Sequence, residues 1–335
     1  MTSHERGKRR ASLALGVCVI FFASACGGAM NQAGDVGVGR KTTEPMHAIW
    51  NFGVDSTTWA EAVDSDRRPT IAAAEIIQLD SITGQPSLPV EIAPRALESP
   101  APLLIVSSWQ GHRFHPETVR LLSANPSALA LAAARVAHRV EIDDLWGIVF
   151  DFEQQAPTDL PGTLAAIRAI RDSARARLRD LCTVVILPAG DTVAYPARPF
   201  AQLADFEIIT FTDERTNASA PGPLITVDRM SRMLGRRVAD VGPAHIVAAF
   251  PAYGYVWRHD QPAQAVTLGA ARQLATQANV DVIRDPAFYS LHAIHARDWE
   301  LWIGDAELQR RLESAAAALG VTTVAEWGAR FADRR

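Results

Sequence analysis

The sequence predicts an α/β chain folded as a (β/α)8 barrel, with a small α+β insertion between strands seven and eight. Three observations carry this. Short apolar runs of strand length alternate with Ala-, Leu- and Arg-rich stretches of helical period from Met46 onward, which is the signature of a parallel sheet built from βα units. Eight such runs fall between residues 46 and 330, the span of one barrel. The 335 residues are 48% hydrophobic and 21% charged with a formal net charge of −4, a composition able to fill one large core.

The predicted strands are residues 47–52, 71–79, 103–108, 147–152, 183–187, 206–211, 245–250 and 322–327. Between them, apolar residues recur at helical spacing over 127–140, 160–178 and 227–238. The interval between strands seven and eight is too long for one loop and helix. It holds a helical stretch near 268–278 and alternating segments at 282–284, 288–295 and 299–303, so an insertion spanning about 258–304 is expected on the rim of a barrel domain running from 46 to 335.

The chain opens differently. Arg6, Lys8, Arg9 and Arg10 precede an uncharged stretch from Ala11 to Ala25, the order of a secretory signal and too short for a comfortable membrane span. Arg9-Arg10 makes only a weak twin-arginine signal, because Ser12 interrupts the apolar pair expected soon after. The stretch ends Ala23-Ser24-Ala25-Cys26-Gly27-Gly28, which resembles a bacterial lipobox with Ala23 where Leu is usual. Residues 1–25 are therefore expected to be a lipoprotein signal peptide, and 26–45, rich in Gly and polar residues, a flexible tether. Export to the cell membrane or outer membrane through a lipid on Cys26 is the expectation, with a soluble secreted protein as the alternative.

Loss of residues 1–25 removes four basic residues and one acid and leaves a net charge of −7. Such a surface offers no attraction to polyanions, so no nucleic-acid partner is expected. Cys18 leaves with the signal, Cys26 would be acylated, and Cys182 lies alone in a predicted strand as a core thiol.

The segment Trp146-Gly147-Ile148-Val149-Phe150-Asp151-Phe152-Glu153 carries two carboxylates at the end of an otherwise apolar strand. Period two puts Val149, Asp151 and Glu153 on one face and Ile148, Phe150 and Phe152 on the other. With the second face packed on helices, both acids point into the C-terminal mouth, where barrel enzymes hold their chemistry. Two like charges this close raise at least one pKa, so that one carboxyl keeps its proton near neutral pH.

This segment resembles the D-G-x-x-x-D-x-E signature of family 18 glycoside hydrolases, the chitinase-like barrels. Thr210-Phe211-Thr212-Asp213 after strand six resembles the family's M-x-Y-D. Phe250-Pro251-Ala252-Tyr253-Gly254-Tyr255-Val256-Trp257 resembles its P-x-Y-G-x-x-W, and Trp327 ends strand eight where the family places a tryptophan. Pro221-Gly222-Pro223, with Trp302 and Asp305 in the insertion, further resembles the branch of spore-cortex and peptidoglycan hydrolases.

The resemblance implies substrate-assisted, retaining hydrolysis of β-1,4-linked N-acetylhexosamine polymers of peptidoglycan or chitin type. Glu153 would protonate the glycosidic oxygen while the substrate's own acetamido oxygen attacks. Asp151 would orient the acetamide and offset positive charge, Asp213 and Thr212 would help place it, Tyr253 would line the subsite, and Trp327 would form its apolar floor. No cofactor is implied, the partner is an N-acetylated polysaccharide or oligosaccharide, and a monomer is expected.

The sequence also departs from the pattern. Val149 occupies an inward position where the family has Asp or Asn, so a partner for Asp151 must come from another strand. Trp146 replaces the motif's first Asp, although Asp143 and Asp144 lie just upstream, and Thr212 stands in place of a longer tyrosine. These changes leave the acid but weaken the aim of the nucleophile, which keeps open a weak or inactive carbohydrate-binding protein of the cell envelope. His112 with His115, and His292 with His295, are spaced too poorly to build a metal site alone, and none is expected. Asn217-Ala218-Ser219 matches an N-glycosylation pattern that carries little weight beside a bacterial lipobox.

Overall fold

The computed structural model describes residues 49–51, 71–80, 86, 102–110, 113–211, 215, 218–296 and 298–328. Cys26 and its lipobox, Thr212, Asp213, Asn217 and His112 lie outside the described residues.

Eight parallel strands close into a barrel. They are β1 (Ile49–Asn51), β2 (Ile71–Gln78), β3 (Pro102–Ser107), β6 (Gly147–Asp151), β7 (Cys182–Pro188), β8 (Phe206–Thr210), β9 (Ile246–Pro251) and β15 (Val324–Trp327). Each pairs in parallel with its neighbours in the chain-order sequence of barrel strands, and β15 returns to pair with β1. All eight predicted strands are present. Strands β3, β6, β7, β8 and β9 are buried along their full length, as parallel strands covered on both faces must be.

Alternation divides the core in two. Leu103, Ile105, Val149, Cys182, Val184, Ile186, Phe206, Ile208, Val247, Ala249 and Ala325 fill the barrel interior. Their neighbours, among them Ile148, Phe150, Ile209 and Phe250, pack outward against helices. Those helices include α1 (Pro116–Ala124), α2 (Pro126–Ile142), α3 (Leu160–Arg175), α4 (Ala197–Ala201) and α5 (Val227–Val241). Local chemistry sets their ends. Asn125 caps α2 by accepting from the Ala128 N–H at 3.1 Å, with Pro126 in the first turn. Thr226 caps α5, and Gly242 closes it at φ +83°.

The insertion is a five-stranded antiparallel sheet with one helix. Its strands are β10 (Gly254–Arg258), β11 (Gln264–Val266), β12 (Ile283–Arg284), β13 (Leu291–His295) and β14 (Trp299–Ile303), with α6 (Leu268–Gln277) between β11 and β12. The pattern foresees α6 and the last three strands. Strands β10 and β11 are additions, because the sheet starts directly from the end of β9 instead of after a loop. Gly254 permits this, since any side chain there would strike the Trp302 carbonyl. One face of this sheet packs on α6 through Val256, Leu291 and Leu301. The chain then enters α7 (Ala306–Ala318), whose N-cap Asp305 accepts from the Glu307 and Leu308 N–H groups and pairs with Arg284.

A hairpin follows β3, formed by β4 (Trp109–Gln110) and β5 (Arg113–Phe114). No helix among the described residues is long and apolar enough to cross a membrane.

Candidate active site

Val149 packs in the barrel interior, whereas Ile148, Phe150 and Phe152 pack with the helices, so strand β6 delivers Asp151 to the inner face at its C-terminal end. Asp151 is buried, and Ser107 at the end of the neighbouring β3 donates from Oγ to Asp151 Oδ2 at 2.9 Å. The partner of Asp151 thus comes from another strand, as Val149 requires. Ser107 Oγ also accepts the Trp109 N–H at 2.9 Å, which leaves its own proton for the carboxylate. Burial pushes the Asp151 carboxyl up to about 7, with the Ser107 hydrogen bond pulling the other way. Asp151 Oδ1 is buried and has no hydrogen-bond partner among the described residues.

Glu153 lies two residues on, half-buried, where the chain leaves the strand. The backbone turns sharply there, with Gln154 at φ +60°, an uncommon value for a non-glycine residue. Tyr195, in the loop between β7 and α4, holds this turn. Its hydroxyl donates to the Phe152 carbonyl at 3.0 Å and accepts the Gln155 N–H at 2.7 Å. Arg237 on α5, fully buried, donates to the Tyr195, Pro188 and Asp191 carbonyls and so fixes that loop. The nearby Glu207 on β8 is also buried; desolvation pushes its carboxyl up to about 8, moderated by the Arg237 charge.

Strand β8 ends at Thr210, whose hydroxyl is buried without a partner among the described residues. Thr212 and Asp213, which the sequence places in the site, come next but one in the chain and lie outside the described residues. Trp327, at the end of β15, packs over the barrel interior, and its carbonyl accepts the Ala252 N–H at 3.1 Å. Tyr253, half-buried just beyond β9, begins an aromatic row. Its ring meets Tyr255 edge-on at 5.5 Å, and Tyr255 meets Trp257 likewise at 5.5 Å. Trp257 Nε1 donates to the Ser219 carbonyl at 2.8 Å, tying the insertion to the segment beyond β8. The C-terminal ends of β3, β6, β9 and β15 therefore bring Ser107, Asp151, Tyr253 and Trp327 to one mouth.

Other sequence features fall elsewhere. Asp143 ends α2 and pairs with Arg139 at 2.6 Å, and Asp144 follows at φ +48°. Both lie between α2 and β6, with Asp143 held by Arg139, and the interior position just before β6 is filled by Trp146, so neither replaces the motif's first Asp. Cys182 is a buried interior residue. His115 pairs with Glu117 at 2.8 Å, His292 stacks on Trp302 with ring centroids 4.7 Å apart, and His295 pairs with Asp298 at 3.1 Å. Among the described residues, no group of three or more His, Cys, Asp or Glu side chains is placed to hold a metal ion.

Sequence reasoning missed Ser107, Tyr195 and Arg237. A polar pair, Ser107-Ser108, closing the apolar run of β3 is the one available signal. Nothing in the local pattern marks Tyr195 or Arg237.

No protein-family model matches the sequence. The chain is 24% identical over 160 residues to the sporulation-specific glycosylase YdhD of Bacillus subtilis. That match covers 47% of this chain and 38% of YdhD, so it spans well under half of the relative. Among solved structures, a chitinase from Chromobacterium violaceum superimposes with a TM-score of 0.74 at 19% identity, over 86% of this chain and 95% of that one. The spore cortex-lytic enzyme SleL of Bacillus cereus gives 0.75 at 17% identity, over 87% and 73%. A class V chitinase from Nicotiana tobaccum, solved in complex with NAG4, gives 0.64 at 13% identity, over 84% and 93%. The fold is that of the chitinase-like barrels. Its similar structures include the chitinases and the spore cortex-lytic enzymes, the two groups that the sequence motifs resemble.

Proposed function

We propose that the protein is an exported glycoside hydrolase that cleaves β-1,4-linked N-acetylhexosamine glycans, with peptidoglycan or its fragments ahead of chitin. The observation that carries this reading is the placement of Asp151, buried and held by Ser107, two residues before Glu153 at the mouth of a chitinase-like barrel. Burial raises the Asp151 carboxyl to about 7, so it can change protonation near neutral pH beside the half-buried Glu153.

In this reading Glu153 is the general acid. It protonates the leaving oxygen as the substrate's acetamido oxygen attacks the anomeric carbon, and it then activates water to open the oxazolinium. Asp151 aligns the acetamido N–H and, once ionised, offsets the positive charge on the ring. Asp213 and Thr212, which follow β8 in the chain, bound the acetamide, Tyr253 lines the same subsite, and Trp327 stacks under the sugar. A lipid on Cys26 holds the enzyme at a membrane. Support for the glycan comes from the likeness to chitinases, one of them bound to NAG4, and to cortex-lytic enzymes.

A second reading, a carbohydrate-binding protein with little or no turnover, rests on Val149, which fills the barrel interior where the family carries Asp or Asn. Incubation with purified peptidoglycan and with chitooligosaccharides, followed by mass spectrometry, separates the two. New reducing ends support the hydrolase, whereas glycan binding without new ends supports the second reading.

A further inference from the structure

We propose that Tyr195 is a positioning residue for Glu153: its phenol clamps the backbone on both sides of the acid and fixes where the carboxyl points. This rests on the hydrolase reading and adds to it a residue from the loop between β7 and α4. Strand β6 ends at Asp151, so Phe152 C=O and Gln155 N–H have left the barrel's ladder of hydrogen bonds. One buried hydroxyl satisfies both, as donor at 3.0 Å and as acceptor at 2.7 Å. Glu153 lies between those two anchors, in a turn that already requires the left-handed Gln154.

The clamp is itself braced. The Tyr195 ring, 3% exposed, stacks near Phe200 with centroids 6.2 Å apart. Its backbone carbonyl is one of three that Arg237 gathers, the others being Pro188 at 2.7 Å and Asp191 at 3.0 Å. A continuous path therefore runs from α5 through Arg237 and the β7–α4 loop to the turn that carries Glu153. Burial holds the phenol protonated far above its ordinary range, so the clamp keeps its donor throughout neutral pH. A general acid must sit within hydrogen-bond reach of the oxygen it protonates, and a displacement of about 1 Å costs on the order of 100-fold in rate.

The test is Tyr195→Phe, which keeps the ring and removes the hydroxyl, assayed on two substrates. One is chitotetraose, whose sugar leaving group needs a proton. The other is a nitrophenyl chitobioside, whose phenolate leaves with little help. The expected result is a kcat/KM reduced ~10- to 100-fold on chitotetraose, with the kcat/KM on the nitrophenyl substrate, which reports only the steps up to departure of the phenolate and not the later activation of water by Glu153, within about threefold. Equal loss on both substrates, or loss on neither, overturns the proposal and leaves the hydrolase reading standing. A parent that cleaves neither of them nor purified peptidoglycan overturns the hydrolase reading and the proposal together; if only peptidoglycan is cleaved, its glycan strands take the place of chitotetraose, and an undiminished rate in Tyr195→Phe overturns the proposal. If Tyr195→Phe does not fold, Arg237→Lys reads the same partition, because a lysine cannot reach three carbonyls and loosens the loop that presents Tyr195.

Discussion

Ser107 and Asp151 occupy paired positions on adjacent barrel strands, and the serine hydroxyl donates to the carboxylate at 2.9 Å. This bond joins residues 44 apart in sequence and opposes the burial that lifts the acid to about 7. Removing it has a defined sign. Ser107→Ala deprives the ionised form of a donor worth about 1.5–3 kcal/mol, so the Asp151 midpoint should rise by about one unit or more. Carbon-detected NMR titration of the carboxyl checks this, and an unchanged midpoint contradicts the assignment.

Asp151 and Glu207 give stability a pH dependence. Their ordinary values of 3.8 and 4.5 are raised by burial to about 7 and about 8 in the folded chain. The folded state therefore binds these protons more tightly than the unfolded state. Their contribution is fully present below about pH 4 and is lost as pH rises through 7 and 8. Asp151→Asn should flatten the decline up to pH 7, and Glu207→Gln the decline up to pH 8. Melting temperatures of the parent and both variants between pH 4 and 9 test this.

Thr212→Tyr addresses the shortened side chain that the sequence places after β8. If Asp213 and position 212 surround the acetamide, the longer hydroxyl should raise turnover, because orientation counts most as the oxygen attacks. Thermal melts must accompany the rates, since a larger side chain at the mouth can overpack. A stable variant with unchanged turnover on every N-acetylated glycan places residue 212 away from the acetamide and withdraws the role given to Asp213.

Cys26→Ala tests the anchor. The thiol is the proposed attachment point of the lipid, so the variant should leave the membrane fraction or fail to mature. Detergent-phase partitioning reads the outcome, and identical partitioning of parent and variant contradicts lipidation.

The barrel was legible in the sequence because each of its parallel strands is a short apolar run bounded by polar residues. Strand parity also gave the direction of Asp151, since Val149 and Asp151 share a face while Phe150 and Phe152 take the other. What parity does not contain is which strand lies alongside. Ser107 is an unremarked serine until β3 is laid beside β6 in register. Tyr195 and Arg237 lie 42 residues apart on a loop and a helix, and their link passes through backbone carbonyls that any residue type would supply. The insertion was only partly legible, because β10 begins three residues after β9 ends and reads as one motif with it.

The most direct test of the account is Glu153→Gln, which keeps the shape of the acid and removes its proton. Parent and variant are to be compared for turnover of chitotetraose and of purified peptidoglycan, and for glycan binding by calorimetry. Turnover is expected to fall about 100-fold or more with binding retained. Turnover in the variant equal to that of the parent would contradict Glu153 as the general acid, and glycan binding with no turnover in either would contradict the hydrolase.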